Sequence, residues 1–136
     1  MSDCIFCKIV EGQLPSFTIY QDGHFLVILD RYPTAIGHVL IIPKRHVADI
    51  YSLNNEEAAA LMPLAQKVAS KMNDYLEMDG LNLLQSNGEA AGQIINHFHL
   101  HLIPRYKNDS ITINGPQTGQ SAKELEQIAK QLNIPM

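Results

Sequence analysis

The run His97-Phe98-His99-Leu100-His101-Leu102-Ile103 constrains this chain more than any other feature. Histidine alternates with apolar residues along it. Extended backbone sends successive side chains to opposite faces, so the three imidazoles share one face and Phe98, Leu100 and Leu102 share the other. The segment therefore predicts a half-buried strand over 97–103, with its apolar side in a core. The imidazole side presents groups that can serve as nucleophile, proton carrier or metal ligand near neutral pH. Thr, Lys or Glu would suit a merely solvated face as well, and half of the six histidines lie in this one segment, so chemistry is the stronger reading. A three-His metal site, with ligands two residues apart on a strand, stands beside an imidazole nucleophile as its main rival.

The surrounding pattern supplies a sheet and a helix for this strand to join. Ser2-Asp3 precede Cys4 to Val10 as caps of a short helix that ends near Gly12. Thr18–Gln21 and His24–Leu29 flank Asp22-Gly23, which predicts a hairpin. His38 to Ile42 reads as a third strand closed by Pro43. Asn54 and Glu57 form a capping-box signature. The helix they open carries Leu61, Leu64, Val68, Met72 and Tyr75 in one apolar stripe, is kinked at Pro63 and ends at Asp79-Gly80. Leu81–Gln85 is a fourth strand, 86–93 a Gly-containing loop, and 97–103 the fifth strand, stopped by Pro104. Residues 107–120, centred on Asn114-Gly115-Pro116, read as a polar loop. A last helix starts at Ser121, with Glu124 as capping partner and Leu125, Ile128, Ala129 and Leu132 on one face. Strands, helix, strands in this order predict an α+β fold: an antiparallel sheet packed on helices.

With 136 residues the chain is one domain, 1–136, with room for a real core. A net charge of -4 argues against general nucleic-acid binding. No apolar run approaches membrane-spanning length, and the N-terminus lacks a signal-peptide pattern, so a cytoplasmic location is expected. Cys4 and Cys7, the only cysteines, suit metal binding or redox chemistry better than a disulfide framework, and two free core thiols are the plain alternative. Short strands leave sheet edges, which a homodimer would cover.

The histidine run, followed by two apolar residues, resembles the signature of the histidine triad (HIT) superfamily. Further blocks resemble its bacterial branch: Cys4-Ile5-Phe6-Cys7-Lys8-Ile9, Leu29-Asp30-Arg31-Tyr32-Pro33, Gly37 to His46, and Asn87 to Gln93. The likeness covers about residues 3–106; the loop and helix of 107–136 are not diagnostic. The resemblance implies a five-stranded antiparallel sheet with a long helix and shorter terminal helices. It implies hydrolysis or transfer at the α-phosphate of nucleoside phosphoramidates or dinucleoside polyphosphates, through a covalent nucleotidyl-histidine. His99 would be the nucleophile, and His101 would donate to a phosphate oxygen or the leaving group. Phe6, Ile9 and Ile28 would hold the base, and Asp30 the ribose hydroxyls with Arg31 beside it. His38 would support the nucleophile, and Ser86, Asn87, Gly92 and Gln93 would reach the phosphates. Cys4, Cys7, His46 and His97 would hold one structural zinc ion.

Two positions depart from the family pattern. Ser86 replaces an amide side chain. Ile94 stands where the phosphoramidase branch carries Ser or Thr, and signals a different leaving group. Two other readings stay in view: a nucleotide-binding protein with weak turnover, and a metal-dependent hydrolase using all three histidines.

Overall fold

A computed structural model describes residues 3–113 and 115–135. The capping expected of Ser2 and the turn expected at Asn114 lie outside these residues. Five antiparallel strands form one sheet in the order β1-β2-β3-β5-β4. They are β1 (Thr18–Gln21), β2 (Phe25–Leu29), β3 (Val39–Pro43), β4 (Gly80–Leu84) and β5 (Leu100–Arg105). Three α-helices accompany them: α1 (Ile5–Val10), α2 (Asn55–Tyr75) and α3 (Ala122–Gln131). The α+β expectation holds in strand number, strand sense and the single long helix.

Side-chain alternation divides the core in two. Phe25, Val27, Val39, Ile41, Phe98, Leu100 and Leu102 point to one sheet face, where Leu64, Ala65, Val68 and Met72 of α2 cover them. Leu26, Ile28, Leu40 and Ile42 point to the other, where Phe6 of α1 packs with Ile9 and Val10. The first face is the structural core. The second carries the histidines.

Local chemistry accounts for most element boundaries. The β1–β2 hairpin is held by Asp22, whose Oδ1 accepts from the backbone N–H groups of His24 and Phe25. Asn54 and Glu57 form the reciprocal capping box of α2, and Ser121 and Glu124 form that of α3. α1 is capped by the thiol of Cys4, which accepts from the N–H of Cys7 at 3.3 Å. Pro63 is accommodated within α2, which runs through it as one helix, because the residues that follow bury themselves on the sheet. The helix stops at Tyr75 and not at Asp79-Gly80, for Leu76 turns inward and Gly80 already pairs with Arg105. Gly37 makes room for that turn. Its φ is 91°, and a Cβ there would lie 2.5 Å from Leu76 Cδ1.

The fifth strand departs most from expectation. Its ladder begins at Leu100, where Leu100 meets Ile41 and His101 meets Leu40 and Leu84. His97 and His99 precede it. Their segment is tied instead to the chain after β3 by Phe98 N–H donating to the Val47 carbonyl at 2.6 Å. The face alternation survives this change of partner, since Phe98 still enters the helix-side core. The strand also continues through Pro104 to Arg105. β3 pairs only as far as Leu102, so at Pro104 one side of the strand is open and the missing N–H deprives no neighbour.

One charged group lies inside this architecture. The Glu57 side chain is 3% exposed and receives both Arg45 Nε and Nη2. The Arg45 guanidinium holds the Glu57 carboxyl below the usual carboxylate range. That pairing stabilises the fold above about pH 4.3 and is lost as pH falls below that value. Glu57→Gln removes the charge from both the cap and the pair, and should cost about 2 kcal/mol at pH 7 in urea unfolding. The loss should shrink toward pH 3, and Glu56→Gln should cost a few tenths of a kcal/mol.

Candidate active site and metal centre

The α1 side of the sheet assembles the histidine site. The Phe6 ring lies edge-on to His97 and His99, with ring centroids 5.8 and 5.1 Å away. His99 and His101 lie 4.9 Å apart, and His101 lies 5.1 Å from His38.

The three imidazoles of the run have different hydrogen-bond partners, and those partners set their tautomers. His97 donates from Nε2 to the Pro43 carbonyl at 2.8 Å. Its Nδ1 is then an unprotonated acceptor, and it faces Cys4 Sγ at 3.2 Å and Cys7 Sγ at 3.6 Å. His99 donates from Nδ1 to the His97 carbonyl at 2.7 Å, which leaves Nε2 as the lone-pair nitrogen. His101 has His38 behind it. The Thr34 N–H donates to His38 Nδ1 at 3.1 Å, so the proton of neutral His38 sits on Nε2. That Nε2 donates to His101 Nδ1 at 2.9 Å, and His101 therefore carries its own proton on Nε2. Burial keeps His38 and His97 neutral by lowering their pKa values. It pushes His101 down to about 4, with His99 and His38 reinforcing the shift.

A cleft of about 610 Å³ opens over this face. His99 and His101 line its floor, and Phe6, Ile9, Leu14, Phe17 and Leu40 line an apolar wall. Asp30, Arg31, Tyr32 and Gly92 stand around it. Asp30 shapes its own turn by accepting the Tyr32 N–H at Oδ1, while Oδ2 lies 3.6 Å from His38 Nε2. Gly92 has a φ of 91° and open space where a Cβ would be, so backbone is accessible there.

Of the residues expected at the nucleotide, Phe6, Ile9, Asp30, Arg31, Gly92, His99 and His101 line the cleft. The structure places five others elsewhere. Ile28 is buried beneath the wall in the sheet core. His38 is buried behind His101, not His99, because it immediately precedes β3, where Leu40 pairs with His101. Ser86 does not line the cleft. Asn87 holds Gln85 and the Ile50 N–H. Gln93 braces the loop, accepting from the Gly88 N–H and donating to the Ala48 and Ile95 carbonyls. Sequence reading did not single out Leu14, Phe17, Leu29 and Tyr32 as cleft residues. Their one signal is apolar character beside a turn, which ordinary core shares. Ile94 is 93% exposed at the mouth of the cleft.

Behind Phe6 the four expected ligands meet. Cys7 Sγ lies 3.2 Å from His46 Nδ1, and the ligand atoms of Cys4, Cys7, His46 and His97 all fall within 4.8 Å of one another. A tetrahedral Cys2His2 ion places its ligands about 3.5 Å apart, so the donor set fits a metal. Burial pushes the Cys7 thiol up to about 11. Binding a cation there is accompanied by loss of that proton.

Comparison with known proteins gives this arrangement its relatives. A family model described as the HIT domain matches residues 11–108. The chain belongs to the HIT family. Its fold is similar to that of SMU.412c from Streptococcus mutans UA159, at TM-score 0.91 and 38% identity, covering 97% of this chain and 84% of that one. It is also similar to a Zn-bound histidine triad family protein from Mycobacterium smegmatis, at TM-score 0.76 and 36% identity over 96% of each chain. Among curated proteins, the adenosine 5'-monophosphoramidase HNT1 of Saccharomyces cerevisiae is 37% identical over 130 residues, 95% of this chain and 80% of that protein. Among the described residues, no helix is long and apolar enough to cross a membrane.

Because burial lowers the His101 pKa, acid should destabilise the fold through this group. An unfolded histidine titrates near 6.5, so the effect is absent above that pH and grows as pH falls from about 6.5 toward about 4. An NMR titration of the His101 ring should find its midpoint well below 6.5. His101→Asn should flatten the decline of the urea midpoint over the same interval. A His101 midpoint at 6.5 would contradict the burial argument.

Proposed function

We propose that this HIT-family protein cleaves nucleotide conjugates at the α-phosphate through a nucleotidyl-His99 intermediate. One observation carries the reading. The His99 Nδ1–H is engaged by the His97 carbonyl, and the ring lines a cleft with an apolar wall on one side and Asp30 and Gly92 at its edge. That tautomer presents the Nε2 lone pair to an electrophile. Nε2 attacks the α-phosphorus, and the bond from phosphorus to the leaving nitrogen or oxygen breaks with its electron pair. Water then attacks the same phosphorus, the phosphorus–Nε2 bond breaks with its electron pair returning to the ring, and a nucleoside monophosphate leaves as one water proton passes to solvent. An acceptor other than water would make the protein a transferase.

His101 is assigned to the developing charge. The chain from Thr34 through His38 leaves its proton on Nε2, and that N–H is assigned to a non-bridging phosphate oxygen. A ring held near pKa 4 is a hydrogen-bond donor at neutral pH, and a poor source of a whole proton. Phe6 and Ile9 are assigned to the base, Asp30 Oδ2 to the ribose hydroxyls, and Gly92 to a phosphate. The likeness to yeast monophosphoramidase HNT1 supports an adenosine conjugate, while the exposed Ile94 has no donor to offer a polar leaving group.

The catalytic-metal alternative is poorly supported. Among the described residues, His97, His99 and His101 do not form one metal-holding group. Asp30, His38 and His101 do lie close together, but the Thr34 N–H occupies His38 Nδ1 and forces the proton onto the nitrogen a metal would need. At the Cys4-Cys7-His46-His97 cluster we propose a single structural zinc ion. Four protein ligands leave it no open position for substrate. We also propose a homodimer and a cytoplasmic location.

His99→Ala should reduce turnover of an adenosine phosphoramidate by at least about a thousandfold while keeping nucleotide affinity within a few-fold. Retention of full activity would refute the nucleophile. Asp30→Asn should raise KM more than it lowers kcat. Purified protein should carry one zinc per chain, and Cys4→Ser should carry less. Chelation should lower the thermal midpoint, and unchanged metal content in Cys4→Ser would remove the proposed ligand set.

A further inference from the structure

We infer that α3 is an exchanged segment, docking in the apolar groove between α2 and the β1–β2 hairpin of a second copy of this chain. The inference specifies how the proposed homodimer is built and does not depend on the nucleotidyl chemistry. Every residue of α3 is exposed, although the helix is amphipathic: Leu125, Ile128 and Leu132 are 56%, 42% and 70% exposed. At 100° per residue, Ala122, Leu125, Ile128, Ala129 and Leu132 form one stripe. Glu124 borders it on one side and Glu126 on the other. Lys123 and Lys130 lie on the far face.

The groove has the matching character. It encloses about 530 Å³ and is lined by Ile19, Tyr20, Val68, Met72 and Leu76 among others. Its charged lining groups are Lys67 and Lys71, both on exposed turns of α2. Whichever way a docked α3 runs, an acidic border of its stripe faces those lysines. The chain's own tail stays tied to the domain as far as Ile111, whose carbonyl accepts from Arg105 Nη2 at 2.8 Å. The segment from there to Ser121 can extend roughly 35 Å, enough to reach a neighbouring copy. α3 does not fill its own groove here, since its apolar stripe remains in solvent. Leu29 lines both the groove and the histidine cleft, so a docked helix would lie against the wall of its partner's site.

Charge reversal separates exchange from its alternatives. One full-length variant carries Lys67→Glu and Lys71→Glu, and a second carries Glu124→Lys and Glu126→Lys. Each alone should dimerise at least about tenfold more weakly than the natural chain in low-salt sedimentation. Mixed, they should form a heterodimer of near-natural affinity, seen by native mass spectrometry, because each groove then meets a helix of opposite charge. A control with Glu11→Lys and Glu89→Lys carries the same net charge as the second variant and should gain clearly less on mixing with the first, because only one of the two junctions is then matched and the other sets an acidic α3 against an acidic groove. Unchanged dimer affinity in both variants would overturn the exchange while leaving a dimer through another face. Equal gain with the control would reduce the effect to net charge. A monomeric natural chain, or two variants that do not combine, would refute it too, the latter pointing to α3 on its own groove or on a different protein.

Discussion

Burial of Phe98, Leu100 and Leu102 against α2 is the constraint on which the site depends. Once those three enter the helix-side core, extended backbone obliges residues 97, 99 and 101 to face the other way. The penalty for turning the segment over is the loss of three large apolar side chains from a close-packed core, each worth roughly 2–5 kcal/mol when truncated. No comparable term acts on the histidine face. The geometry of the site is therefore held by residues that never touch it, and a site so held can present neutral, partly desolvated imidazoles without needing them for stability.

The opposite face is then ordered by α1, which has little means of holding itself. Six residues make too short a helix to be stable alone. It is anchored by Phe6 on the sheet and by two thiols aimed at His46 and His97. His97 joins the two halves of the arrangement. Its ring faces the thiols, its Nε2 is tied to Pro43, and its own backbone carbonyl receives the Nδ1 proton of His99. One residue thus connects the metal-competent cluster to the tautomer of the neighbouring imidazole through two peptide units. The connection is mechanical, and it explains how a metal that is closed to substrate could still matter to chemistry a few ångströms away.

Much of this was legible in the residues. Period-two alternation gave the faces of the histidine run, and side chains three apart gave the capping boxes at Asn54 and Ser121. What failed to show is information carried by long-range pairing. Nothing local to His97-Phe98-His99 says that the ladder starts only at Leu100, because the substitute partner is the carbonyl of Val47. His38 was expected at the nucleophile and instead stands behind His101, since the β3–β5 register decides which triad member it meets. Gln93 and Asn87 occupy loop positions that suit a phosphate, but their amides are used up in holding the loop together. The burial of Glu57 was also unreadable, for its partner Arg45 lies twelve residues earlier in a different kind of element.

The division of labour among the histidines also bears on Ile94. A neutral His101 donates one hydrogen bond and keeps its proton at working pH, so it offers little help to a leaving group that needs protonation as it departs. A hydroxyl at position 94 could assist by bonding to that group; an isoleucine cannot. With 93% of its surface open to water, Ile94 is not there to complete a core. The two facts point the same way. On the mechanism proposed above, chemistry at His99 would be fastest with conjugates whose leaving group is already stable as it departs, or one whose apolar body covers Ile94 and recovers at ~25 cal/mol per Å² part of what the absent hydrogen bond withholds.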